Sequence, residues 1–406
     1  MLKNLQRIAL FLVFFSLNFE VYDPFYTDGA FSIAKLMAYI YVLFMAPSIL
    51  RFRTPVAFKP FLRTAMLFLI LLTLINIFNM RYGHTDFFEF SLLQNILLFW
   101  ILINHEAEDP MVLEKGLLGF AAGSITLSVL YPLGIGVGFS DDGRVSIFGT
   151  NENEIGIRMC VSLIYIVLLV IQNRGGFGWM RYLFLAGTPF LFSLLIASGS
   201  RMAFVAFVAA FVSIVVLYKT KQVWVKGVLV FAGMVGLVLL WQYLLHSEVV
   251  AERLMETVEN GDLSQRDEIW RTVLPVWTEN PIFGVGRTGY EFFSTWQYGE
   301  LMSPHSVIIE ILCFSGVAGL AIYLVFLYRI VMLGWQTYRE QGYLLQLLLF
   351  LPIAGMLLSG HLLYVKIGWV IFAYIAASAI YLQKESTNLQ EDENTLQEDE
   401  NTLCYR

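Results

Sequence analysis

Charge is scarce in this 406-residue chain: 14% of its residues are Asp, Glu, Lys or Arg, against roughly 25% in an ordinary soluble domain. That shortage excludes a chain solvated on every side. The formal net charge of −6 owes much to an acidic C-terminal tail, and no nucleic-acid partner is expected. Cysteine is nearly absent, at three (Cys160, Cys313, Cys404), so there is no disulfide framework. No His/Cys cluster has metal-ligand spacing. No glycine loop runs into Lys-Ser/Thr to cradle phosphate, and no Gly-x-Ser-x-Gly elbow is present. Asp141-Asp142 beside Gly143 has the composition of a solvated turn. Neither metal nor cofactor is expected.

What the chain has instead is apolar length. Hydrophobic residues make up 58%, in runs of about 17–22 residues that can cross about 30 Å of hydrocarbon as helix. Backbone polar groups in lipid must bond within the segment, so such runs are expected to be helical. The expected fold is an all-α polytopic membrane protein. Its candidate spans lie near 6–22, 31–50, 62–79, 89–104, 111–131, 155–172, 181–197, 202–218, 225–245, 306–328, 343–360 and 365–382, about twelve transmembrane helices. The N-terminus imitates a signal peptide, but no small-residue cleavage site follows Phe19-Glu20-Val21-Tyr22, and it is expected to be retained as the first span.

Orientation follows from Lys and Arg, which favour cytoplasmic loops. With the N-terminus inside, the inner loops receive Lys3, Arg7, Arg51, Arg53, Lys59, Arg63, Lys115, Arg174, Arg181, Lys219, Lys221, Lys226, Arg329, Arg339 and Lys384. The short outer loops receive only Arg81, Arg144, Arg201 and Lys366. This divides the chain into spans one to nine (1–245), a large extracytoplasmic loop with short helices (246–304), spans ten to twelve (305–383) and a disordered acidic cytoplasmic tail (384–406). The tail repeats Asn-Leu-Gln-Glu-Asp-Glu-Asn as Thr-Leu-Gln-Glu-Asp-Glu-Asn. One leucine per seven residues is too thin for a coiled coil.

The large loop carries Arg253, Arg266, Arg271 and Arg287, against the usual bias. Long loops escape that bias, or these arginines meet an anionic ligand. A helix is expected from about Ser264 to Trp277, capped by Ser264 and ended by Asn280-Pro281. Gly284-Val285-Gly286 is expected to be a flexible turn.

Ionisable residues at span ends are costly enough to need a reason. Arg201, in Ser198-Gly199-Ser200-Arg201, sits at headgroup depth, where a guanidinium offers a two-pronged fork to phosphate oxygens. A lipid-snorkelling arginine is the plainer alternative. His305, in Ser303-Pro304-His305-Ser306, opens the tenth span, and a neutral imidazole there can take a proton from a hydroxyl. A polar interface residue is its plainer alternative. Glu310 follows inside the span. Arg266 and Arg271, five apart on one helix, lie on different faces. Glu154 and Arg158 have the spacing of a structural ion pair, and Arg144 is a loop charge outside these segments.

Taken together, three segments resemble the O-antigen ligase and O-antigen (exopolysaccharide) polymerase superfamily of bacterial membrane glycosyltransferases. They are Ser198-Gly199-Ser200-Arg201; Arg266-x-x-x-Trp270 followed by Asn280-Pro281-Ile282-Phe283-Gly284-Val285-Gly286; and Pro304-His305-Ser306 with Glu310, Gly316 and Gly319. Asn151-Glu152-Asn153 resembles a weaker upstream motif. Many members carry Asn after the histidine, where this chain has Ser306. The resemblance implies a helical bundle under a large extracytoplasmic loop in the bacterial plasma membrane. It implies metal-independent glycan transfer from an undecaprenyl-diphosphate-linked oligosaccharide to a glycan or lipid A-core acceptor, with a chain-length regulator as a further partner. Arg201 and Arg266 would then hold the diphosphate and His305 would activate the acceptor. Direct displacement would invert the anomeric centre. Arg271, Arg287, Tyr290, Trp296 and Glu310 are candidates for binding substrate. Ligase and polymerase are not separated, although the Pro-His-Ser-x-x-x-Glu block leans toward polymerases. A secondary transporter or flippase-like protein is the competing class, and the chain shows no internal repeat of the kind transporters carry.

The charge asymmetry makes a direct prediction. A reporter active only outside the cytoplasm should work when fused near Gly261 and fail near Lys221 or after Lys384. Activity at Lys221 would reverse the orientation.

Overall fold

The computed structural model describes residues 1–27, 31–80, 89–140, 143–172, 176–219, 266–299, 303–360 and 363–382, with residues 224, 226, 227, 230, 233 and 301 between them. The chain is mostly helical. In order, the helices are α1 (Leu2–Ser16), α2 (Ile33–Ile49), α3 (Lys59–Phe78), α4 (Phe90–Glu108), α5 (Val112–Leu130), α6 (Glu152–Gln172), α7 (Met180–Ala186), α8 (Thr188–Ala197), α9 (Arg201–Leu217), α10 (Arg266–Glu279), α11 (Gly286–Tyr298), α12 (Val307–Gln341), α13 (Leu345–Leu348), α14 (Phe350–Ser359) and α15 (Lys366–Leu382).

Among the described residues, five helical stretches are long and apolar enough to cross a membrane: Val56–Phe78, Val112–Leu130, Glu152–Gln172, Met180–Ala197 and Val307–Gln341. Shorter apolar helices occupy Ile33–Ile49, Arg201–Leu217, Leu345–Ser359 and Lys366–Leu382. The expected ninth span and the first part of the large loop, through residue 265, lie almost wholly outside the described residues, as does the tail. Leu67, Ile70, Leu74 and Phe78 of α3, and Val205, Val212 and Val216 of α9, are exposed. Apolar surface of that extent on long helices belongs in lipid, and the chain is a polytopic membrane protein.

With no hydrophobic force between helices in lipid, close backbone approach and polar bridges hold them together. α5 carries Gly119-x-x-x-Gly123 toward α1. A Cβ on Gly119 would lie 2.5 Å from the Phe11 carbonyl oxygen, and one on Gly123 would lie 2.4 Å from that of Phe15. Beside this contact, Asn18 Nδ2 donates to Phe120 O at 3.0 Å, Ser124 Oγ to Asn18 Oδ1 at 2.7 Å, and Ser162 Oγ to Ser124 Oγ at 2.7 Å. The chain of hydroxyls and amide joins the turn after α1 to α5 and α6.

Three features depart from the expected all-α plan. The 132–154 segment holds an antiparallel hairpin, β1 (Val137–Phe139) and β2 (Val145–Ile147), with Gly138 opposite Ser146. Its strands are only three residues long, too short to show a period of two, and the buried Val145 and Ile147 pin it to the bundle. Its Asp141-Asp142 lies outside the described residues. Gly286–Tyr298 forms a second loop helix, where only an aromatic stretch was expected. The 306–328 span extends to Gln341 and is broken inside: Gly316 has φ 61°, ψ −162°.

That break explains the Asn-Pro-Ile-Phe-Gly-Val-Gly segment. Val317 N donates to Pro281 O at 2.9 Å, Ala318 N to Ile282 O at 3.0 Å, and Val285 N to Cys313 O at 2.9 Å. The segment therefore replaces helix hydrogen bonds lost at the break. A Cβ on Gly284 would sit 2.5 Å from Cys313 O, and one on Gly286 2.6 Å from Asn76 Oδ1. Both glycines have positive φ. The expected flexible turn is instead a docked strap between α3 and α12.

A Cβ at residue 316 would come within 2.3 Å of the Ile282 carbonyl. Gly316→Ala should thus add a collision to a left-handed strain of about 1–3 kcal/mol. Gly134→Ala, at φ 70° with nothing nearby, meets only the strain. Thermal unfolding in detergent should show Gly316→Ala much the more damaging; equal shifts would mean that the strap does not hold the break.

Candidate functional site

The Ser-Gly-Ser-Arg segment is a tight joint between α8 and α9. Ser198 Oγ donates to Leu195 O at 2.6 Å, and Ser200 caps α9 by accepting from Ala203 N at 3.4 Å. Gly199 takes φ 58°, and Arg144 Cγ and Cδ lie 2.9 Å from where its Cβ would be. Gly156 on α6 is equally confined: its Cβ would meet Ser200 Cβ at 2.7 Å and Ala203 Cβ at 2.9 Å. The small residues let α6 and the hairpin close onto the joint, and the half-buried Arg201 emerges at the N-terminus of α9. The unbonded N–H groups and dipole of a helix N-terminus favour anions.

Arg144 is therefore not the independent loop charge that its sequence position indicated. Its side chain covers Gly199, and its Nη2 lies 3.6 Å from Glu152 Oε2. Only folding of the hairpin brings it to the motif.

Glu154 and Arg158 do pair, at 2.9 Å, as part of a larger cluster. Arg158 Nη2 also faces Glu20 Oε2 at 3.4 Å, and Glu20 Oε1 accepts from Lys366 Nζ at 2.7 Å. Arg158 is fully buried, and among the described residues its Nε and Nη1 have no hydrogen-bond partner.

His305 precedes α12 rather than opening it, since the helix begins at Val307. It is half-buried in the left-handed region, φ 45°. Trp270 of α10 donates from Nε1 to Pro304 O at 2.9 Å, fixing the carbonyl just before it, and His305 N bonds to Ser303 Oγ at 3.2 Å. Trp270 of the Arg-x-x-x-Trp motif thus has a structural use: it ties α10 to the histidine connection.

Arg287 stands on α11 next to the strap. Its backbone N donates to Asn76 Oδ1 at 2.8 Å, its Nε donates to Glu291 Oε1 at 2.8 Å, and its Nη1 lies 3.5 Å from Glu89 Oε2. Its guanidinium sits 5.3 Å from the centre of the Tyr364 ring. Glu89 is buried and also accepts from Asn76 Nδ2 and Tyr364 Oη, both at 3.1 Å. Glu310, one turn into α12, is close enough to Arg287 and Glu89 to interact electrostatically with both. Glu89 and Tyr364 were missed in the sequence because neither lies in a motif; a carboxylate beside the apolar run of α4 was the one available signal.

The other candidates divide. Tyr290 is 2% exposed and packs edge-on against Phe314 at 5.4 Å, so it is a core residue with no face for a sugar. Trp296 is 78% exposed. Arg271 is exposed on α10. Arg266 begins α10, and its side chain lies outside the described ones.

The connection 363–366 links the pieces. Tyr364 belongs to the Arg287 cluster and Lys366, two residues on, to the Arg158 cluster. Arg201, beside the start of α6, and His305, before the start of α12, consequently occupy the same end of the bundle. The opposite end holds the Arg7–Asp109 fork at 2.6 and 2.7 Å. There the Arg7 guanidinium hydrogen bonds keep the Asp109 carboxyl below its usual range.

Removing one partner of a buried ion pair costs about 3–5 kcal/mol, whereas a partly solvated pair is worth about 0–1 kcal/mol. Arg158→Met should therefore lower the thermal midpoint far more than Arg144→Ala. Similar small shifts would show that the Arg158 cluster is not a structural keystone.

Residues 186–324 match the family model described as O-Antigen ligase. The interval contains all three motif-bearing segments. No curated protein matches the chain.

Proposed function

We propose, on the premise that the chain belongs to the O-antigen ligase superfamily through residues 186–324, that it transfers glycan from an undecaprenyl-diphosphate-linked donor to an acceptor hydroxyl on the outer face of the bacterial inner membrane. The observation that carries this reading is the shared end of Arg201 and His305. A cation at a helix N-terminus and an imidazole held by its own backbone both stand at that end, where charge asymmetry puts the outside.

The chemistry asks for those groups. Breaking the anomeric C–O bond leaves the electron pair on the lipid diphosphate, and fixed guanidinium groups stabilise that charge. Arg201 takes this role from the joint, with Arg266 as its partner from α10. The acceptor hydroxyl loses its proton as it bonds to the anomeric carbon, and His305 receives it. Attack opposite the leaving group inverts the centre, with no metal ion required. The Pro304-His305-Ser306 block with Glu310 favours a polymerase, in which the acceptor is itself lipid-linked glycan.

Arg201→Ala, Arg266→Ala and His305→Ala should each lower transfer by about 10²–10³, with normal protein levels. Arg201→Lys should also be severe, since a point charge loses the fork. Arg271→Ala should be mild. Arg144→Ala should reduce activity rather than spare it, because its side chain covers Gly199. The surface glycan, run on a gel after gene deletion and complementation, is the readout. Loss of all attachment identifies a ligase and single repeat units a polymerase; a normal ladder from the Arg201 and His305 variants would end the proposal.

A further inference from the structure

We infer that Arg287 and Glu310 form a subsite that grips a sugar of the acceptor glycan by its hydroxyl groups, an assignment that rests on the transferase reading above. The argument begins with an imbalance. Glu89 is buried and fully engaged, accepting from Asn76 and Tyr364 and facing Arg287. Glu310 is 6% exposed, yet among the described residues its Oε2 has no hydrogen-bond partner. A buried oxygen without a donor is costly, and in a native site it calls for an explanation. Five elements converge on the group: the ends of α3 and α4, α11, the first turn of α12 and the 363–366 connection. Among the described residues, it is a built site that lacks one hydrogen-bond donor.

Charge decides which donor. Among the described residues, the cluster holds three carboxyl groups, Glu89, Glu291 and Glu310, against the single guanidinium of Arg287. A diphosphate is repelled there and is better served at Arg201. A neutral polyol fits: one hydroxyl donates to Glu310 while a neighbouring oxygen accepts from Arg287. Arg287 and Glu291 are partly exposed, at 37% and 30% of their side chains, and give the ligand its approach. Position decides which sugar. Glu310 lies one turn beyond His305, the group assigned to the acceptor's proton, so this is the acceptor side. Glu89, Asn76 and Tyr364 are positioning residues that aim Arg287.

The test uses the purified full-length protein in detergent and two probes. One is the saccharide released by mild acid from the cell's own lipid-linked pool; the other is undecaprenyl diphosphate. Wild type should bind the saccharide saturably. Glu310→Gln and Arg287→Lys should each weaken that binding roughly ten-fold or more, as expected for loss of a charge-assisted hydrogen bond, and leave undecaprenyl diphosphate binding unchanged. Glu89→Gln should weaken saccharide binding less. Where Glu310→Gln proves unstable, Arg287→Lys, at a half-exposed position, carries the test alone. Wild-type saccharide affinity in folded Glu310→Gln or Arg287→Lys overturns the subsite, as does an equal loss of both probes. Saccharide binding lost in these variants, while Arg201→Ala and His305→Ala keep a normal glycan ladder, upholds a saccharide subsite at Arg287 and Glu310 but sinks the transferase reading and, with it, the acceptor assignment.

Discussion

A chain in hydrocarbon must find partners for its backbone polar groups within itself, and this protein meets that demand most tightly at Gly316. There α12 breaks, and the strap at residues 281–285 supplies a donor to Cys313 O and acceptors to the N–H groups of Val317 and Ala318. The position of the site follows. The strap leads directly into α11 and so fixes Arg287 beside Asn76 and Glu89. The same half of α12 carries Glu310 and is preceded by His305. An irregular backbone that lipid could not serve is tolerated because each strand of it satisfies the other's polar groups.

Small residues serve a second purpose around Arg201. Gly156, Ser198, Gly199 and Ser200 leave almost no space between α6, the hairpin and the α8–α9 joint. The arginine is presented by a packed scaffold, and under the proposed transfer a guanidinium whose base cannot shift would need less reorganisation as charge develops. The two polar clusters share the 363–366 connection, through Tyr364 in one and Lys366 in the other.

Long apolar runs announce helices by length and composition alone, and so most of the bundle was legible as sequence. The motifs were legible as a set: Ser198–Arg201, Arg266 with Trp270, and Pro304 to Gly319 all fall in the family-matched interval. What escaped depends on distant contacts. Gly284 and Gly286 have the local signature of a loose turn, and only the break in α12 beside the first and Asn76 of α3 beside the second show why no side chain fits. Tyr290 shares its composition with the exposed Trp296, and only the position of Phe314 separates a core ring from a surface one. Arg144 and Glu89 have no motif around them. Their neighbours Gly199 and Arg287 are reached only through space. The hairpin strands are too short for alternation to register.

The strap also bears on how the protein is made. Residues 281–285 precede α12 in the chain, so they leave the ribosome before the segment whose gap they fill. When the 307–341 helix enters the bilayer, its interrupted stretch arrives with three backbone groups that lipid cannot serve, and the partner for each has already been synthesised. Completion of this helix is therefore tied to docking of the segment just upstream of it, and the interrupted stretch stays unsatisfied until the two meet.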